Sequence, residues 1–215
     1  PRSAVTLDTG VFAHKEPFMN ATPIARWAAM CVLAVAPLLS QATGSALDQV
    51  LARSLGAASA SPAGGGKLHE SPAGYWLLQQ DPAMPGRACA ITFHSKQEKG
   101  SLLGFLGPSD ASDVGAILFV GPKVPKAAAT RQTSVRLDTT GDPSQTVRAT
   151  HLRHTPDVSV LAVATNMKAT ISALDDADGV SIHMDGNPVF QLDYQGGHAA
   201  RDALLQCMAA RASGK

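Results

Sequence analysis

Cysteines at positions 31, 89 and 207 offer the clearest chemistry in this sequence, oxidation to a disulfide. Cys31 lies inside an apolar run that reads as part of a removable leader, so Cys89 and Cys207 remain. An even count in an oxidising compartment points to a bond between them. The flanking patterns agree. Cys89, Ile91 and Phe93 alternate onto one strand face, while Ala200, Ala203, Leu204, Cys207 and Met208 follow a helical stripe. Both thiols therefore point inward. The bridge would close a loop of 118 residues, 207 minus 89, worth about 4–5 kcal/mol in the chain-entropy model.

Other reactive side chains give weaker patterns. Asp175-Asp-Ala-Asp-Gly179 resembles a calcium loop, but aligning Gly179 with its sixth position puts Leu174 at the first, where an oxygen ligand is needed. An acidic turn is the better reading. His151 and His154 are three apart on a strand and its end, on opposite faces, so they cannot share one metal ion without a bend. They and the isolated His94, His183 and His198 read as surface histidines. Ser159 and Ser181 lie in strand patterns with no base nearby in sequence, and no nucleophile elbow is present. No catalytic residue, metal or organic cofactor is expected, and the chain does not read as an enzyme.

Arg136 and Arg148 alternate with Val135, Leu137, Val147 and Ala149, so both project from the outer face of one hairpin. With Arg131 and Arg153 they could form a basic patch for a partner, or simply a solvated face. The stretch 107–114, with Ser109 and Asp110 at its tip, and the stretch 121–126 are Pro- and Gly-rich loops able to carry contacts.

These side chains must be positioned by a β-rich domain. Turn signals every 8 to 12 residues from about Leu68 suit an antiparallel β-sandwich or a partly closed barrel. Strands are predicted at 74–80, 87–95, 102–106, 115–120, 132–138, 145–153, 158–164, 170–174, 179–184 and 188–194. A hairpin loop is predicted over 139–144, and Asp185-Gly186 is the strongest hairpin signal. A C-terminal α-helix over 198–211 closes a single domain, 68–211. Upstream, 47–55 reads as a short helix and 56–66 as a Gly/Ala/Ser-rich linker.

The N-terminal segment has the three parts of an export signal: Arg26, an apolar run from Trp27 to Leu39, and small residues at 40–46. Thirteen apolar residues are too few for a stable membrane span. Residues 19–46 read as a signal peptide cleaved after Ala42 or Ala46, and 1–18 as an upstream extension without a structural role. Of 18 basic and 17 acidic residues, the first 46 hold three and two, leaving fifteen of each. A neutral domain has no electrostatic reason to seek nucleic acid. A periplasmic or secreted location follows, with no membrane span after cleavage.

The order Asn166-Met-Lys-Ala169, a strand, an acidic Gly turn, the strands around Asp185-Gly186 and then Gly196-Gly-His-Ala-Ala-Arg-Asp-Ala-Leu-Leu-Gln-Cys207 resembles the invasion-associated locus B family of exported bacterial proteins. Trp76 and Cys89 fit the same outline. The resemblance implies a small periplasmic or surface β-sandwich, linked to host-cell invasion in some pathogens, with no established catalytic residues. The expected function is a binding module acting through protein contacts at the envelope or a host surface. The alternative is an inhibitor or immunity-type protein that blocks a cell-wall hydrolase through a protruding loop such as 107–114.

Overall fold

Strand-forming runs, some alternating and some continuously apolar, recur between residues 67 and 195. The computed structural model describes residues 66–80, 89–108 and 113–212. The expected leader, the 47–55 helix, the linker up to residue 65 and the candidate contacts Ser109 and Asp110 lie outside the described residues. The strands are β1 (Lys67–Glu70), β2 (Gly74–Gln80), β3 (Cys89–Ser95), β4 (Leu102–Leu106), β5 (Val114–Val120), β6 (Arg131–Thr139), β7 (Gln145–Arg153), β8 (Ser159–Asn166), β9 (Ala177–Met184) and β10 (Asn187–Gln195). Two helices complete the set among the described residues, α1 (Met167–Ser172) and α2 (Gly197–Ala212).

All ten strands join one antiparallel sheet in the order β1-β2-β3-β4-β5-β8-β7-β6-β9-β10. The sheet curls into a half-barrel, so of the two expected forms the partly closed barrel is the one adopted. Its ends are tied where the Trp76 indole N–H donates to the Gln195 carbonyl at 2.8 Å. The concave side holds the main core: Trp76, Phe93, Phe105, Ile117, Phe119, Leu161, Ile182, Phe190 and Tyr194 are each no more than 2% exposed. Trp76 packs on Phe93 and Tyr194 with ring centroids 5.2 and 5.6 Å apart, near edge-on to Tyr194, the geometry that aromatic quadrupoles favour.

Asp185 and Gly186 both have positive φ, 51° and 80°, as a two-residue type I′ hairpin requires. Gly196, at φ 77°, ends β10 and turns the chain into α2. A side chain there would strike the His69 ring. Helix α2 lays Ala200, Leu204 and Cys207 on the concave core. Cys207 is bonded to Cys89 with the Cα atoms 6.0 Å apart, stapling β3 to the last helix.

One predicted strand is a helix. Residues 170–174 were expected to extend, but Met167–Ser172 forms α1 because Asn166 caps it, its side-chain oxygen accepting from the Ala169 N–H at 3.0 Å. Met167, Thr170 and Ile171 then fall on one buried face at i, i+3 and i+4. The four-residue β1, charged at both ends, has no counterpart among the predicted strands.

Candidate functional site

Alternation sends Ser134, Arg136 and Asp138 of β6 outward while Val135 and Leu137 enter the core. On β7, Thr146 and Arg148 face outward beside the buried Val147 and Ala149. Arg148 stands opposite Ser134, and Arg136 opposite Thr146, so the two arginines are diagonal neighbours on one face, typically about 7–8 Å apart. On its other side β6 pairs with β9, setting His183 opposite Arg136 and Ser181 opposite Asp138. The result is a polar strip of Arg148, Ser134, Arg136, His183, Asp138 and Ser181.

Asp138 is its electrostatic centre. Its Oδ2 lies 3.1 Å from Arg136 Nε and 3.1 Å from His183 Nδ1. A hydrogen bond from Ser144, with Arg136 and the His183 ring adding to it, holds the Asp138 carboxyl below its ordinary range. His183 is therefore not isolated, as its sequence surroundings suggested. A carboxylate beside Nδ1 can fix an imidazole's orientation, as in catalytic triads, and Ser181 shares the face two residues away. No hydrogen bond joins Ser181 to His183 among the described residues, however, and the strip lies on a convex sheet surface rather than in a pocket. Arg136 is committed to Asp138. Arg148 is exposed and has no acidic partner among the described residues.

Arg131 and Arg153 do not extend this patch. Their positions on β6 and β7 have the parity of the inward residues, and they lie toward the opposite end of the hairpin. Of the four arginines, Arg136 and Arg148 are the two that share the outer face.

Several other candidates have structural work. The acidic turn caps α2: Asp176 accepts from Gly197 N–H through its backbone oxygen at 2.9 Å and from His198 N–H through Oδ1 at 3.2 Å. Asp178 Oδ1 accepts from the Thr140 N–H, 3.0 Å away, and so ties β9 to the β6–β7 turn. His151 is an interior residue, 1% exposed, contrary to its reading as a surface histidine. Its Nε2 meets the Pro125 carbonyl at 2.8 Å, while Ser159 Oγ accepts from Ala127 N–H at 2.8 Å. These bonds, with the buried Val124, pin the 121–127 stretch across the core and make it a connection rather than a protruding loop. His94 is also largely covered, stacked on Tyr75 at 5.0 Å; burial pushes its pKa down to about 4.

The described residues form a shallow cleft of about 410 Å³ between α1 and α2, lined by Ser172, Leu174, Asp175, His198 and Arg201 among others. Among the described residues, no group of three or more His, Cys, Asp or Glu side chains is placed to hold a metal ion. None of their helices is long and apolar enough to cross a membrane.

The Asp138–His183 pairing was beyond sequence reasoning because β6 and β9 are joined across two intervening strands and a helix, and no local pattern marks the contact. Arg136 and Arg148 were accessible to it because a single hairpin sets them. No family model matches the chain, nor does any curated protein or solved structure.

Proposed function

We propose that the chain is an exported binding module that engages a protein partner at the cell envelope or a host surface through the strip around Arg148. The observation that carries this reading is the strip itself. An exposed guanidinium without an acidic partner stands on a regular sheet beside an Asp-held Arg136 and a His, all on a rigid frame. Arginine's planar fork suits paired recognition of carboxylates. Such an anchor on a pre-ordered sheet binds with little loss of conformational entropy. The Cys89–Cys207 bond suits an oxidising compartment, in line with the export signal and the resemblance to invasion-associated locus B proteins. Equal numbers of acidic and basic residues beyond position 46 favour a protein partner over nucleic acid.

The test is capture from an envelope extract with mature wild-type protein and with Arg148→Glu. An exposed charge reversal should leave the melting temperature unchanged. The reading expects a species retained by the wild type and lost with the variant. Identical retained sets, or none, would overturn it.

A further inference from the structure

The convex side of the sheet carries a second apolar cluster: Ala90, Leu102, Leu106, Leu118, Val120, Leu152, Val160 and Ala162, each at most 9% exposed. All belong to β3, β4, β5, β7 and β8. The buried residues of α1 and α2 belong to the concave core instead, so neither helix covers this face. Side chains on one surface of a sheet do not reach such low exposure through their strand neighbours alone; a second layer is needed.

We propose that residues 47–55, Leu-Asp-Gln-Val-Leu-Ala-Arg-Ser-Leu, dock on this cluster as an amphipathic helix. Leu47, Val50, Leu51 and Leu55 fall at i, i+3, i+4 and i+8, one apolar face, with Gln49 and Arg53 on the other and Asp48 at the boundary of the first turn. The ten residues 56–65 lead to Gly66, next to β1. As a flexible chain they span about 16–19 Å, and fully extended about 33–36 Å. At about 4.8 Å per strand, β4 and β8 lie roughly 14 and 24 Å from β1, within that reach. The short connections 81–88 and 109–112 offer Met84 as their one large apolar residue. The segment stays in the chain whether cleavage follows Ala42 or Ala46, and its docking does not depend on the partner proposed above.

The test places a reporter thiol at Ala162→Cys in the mature protein, whose native cysteines are already bonded. Its labelling should be slow and independent of protein concentration. Adding Leu51→Asp should raise the rate about tenfold or more through local opening, while Gln49→Asp on the polar face should leave it unchanged. Rapid labelling without Leu51→Asp would show an uncovered face. An unchanged rate in a folded Leu51→Asp variant would assign the cover to another segment, and a rate that falls with concentration would assign it to a second copy. Any of the three overturns the proposal. Should Leu51→Asp fail to fold, amide exchange of the unmodified protein decides: protection at 47–55 but not at 56–65 is expected, and its absence at 47–55 contradicts the docking.

Discussion

The convex face of this half-barrel is two surfaces on one sheet. Across β3, β4, β5 and β8 it is apolar and shielded, with Leu118 and Val160 at 1% and 0% exposure. Across β6, the start of β7 and β9 it is polar and open, with Arg136 half exposed and Asp138 and His183 paired beside it. The concave core runs beneath both. A sheet buried on both faces gains stability from each outward side chain, whereas one buried on a single face is free to vary its outward residues for recognition. The first half therefore reads as scaffold and the second as the surface available to a partner.

The largest effect should come from what both halves share. Removing the Cys89–Cys207 bond by a double alanine substitution should cost about 4–5 kcal/mol in chemical denaturation, with the two halves losing structure in one transition. Separate transitions would mean the halves do not rest on a common core. Next comes the contrast itself. Leu118→Ala should destabilise by about 2–5 kcal/mol, while Arg148→Ala, on the open half, should stay within about 0.5 kcal/mol. Similar losses at both positions would erase the distinction.

Two outward titratable side chains, His94 and Asp138, sharpen the contrast through pH. His94, on the shielded half, is held neutral by burial to about pH 4. Its counterpart in the unfolded chain takes up a proton near pH 6.5. Between these values the unfolded state binds more protons, so acidification from 6.5 to 4 destabilises the fold, by up to about 3 kcal/mol. His94→Phe, which keeps a ring against Tyr75, should flatten the thermal stability profile in that window; an unchanged profile would remove His94 as the cause. On the open half, Asp138→Asn should have the smallest effect, under about 1 kcal/mol and reduced by salt. Because the folded-state pKa of Asp138 is lowered, any stability it adds is present above its unfolded value near 3.9 and fades as pH falls below it. A change that is large or insensitive to salt would give the pair a different role.

Local patterns carried most of the fold. Turn spacing and apolar patterning located β2, β4 and β7 to the residue, and Asp185-Gly186 located the last hairpin, because strand patterning and turn chemistry are properties of short segments. The disulfide followed from two such segments with inward thiols. The strand expected at 170–174 failed because its apolar residues suited either period, and the Asn166 cap that decides for α1 precedes them. The doubly buried half had a signal of its own in the continuous apolar runs Leu-Leu-Gly-Phe-Leu of β4 and Ala-Ile-Leu-Phe-Val at the end of β5, the mark of strands covered on both faces. The candidate site was half legible. Arg136 and Arg148 share a hairpin, whereas Asp138 meets His183 only through a strand pairing fixed by the whole sheet.

Hydroxyl-radical footprinting of the mature protein, alone and after incubation in envelope extract, tests the division and its functional meaning together. Leu118, Val120 and Val160 should be unreactive in both conditions. The strip bearing Arg148, Arg136 and His183 should be reactive in the free protein and protected in the extract. Protection that leaves the strip unchanged and appears elsewhere, or none at all, would contradict the assignment of this surface to a partner.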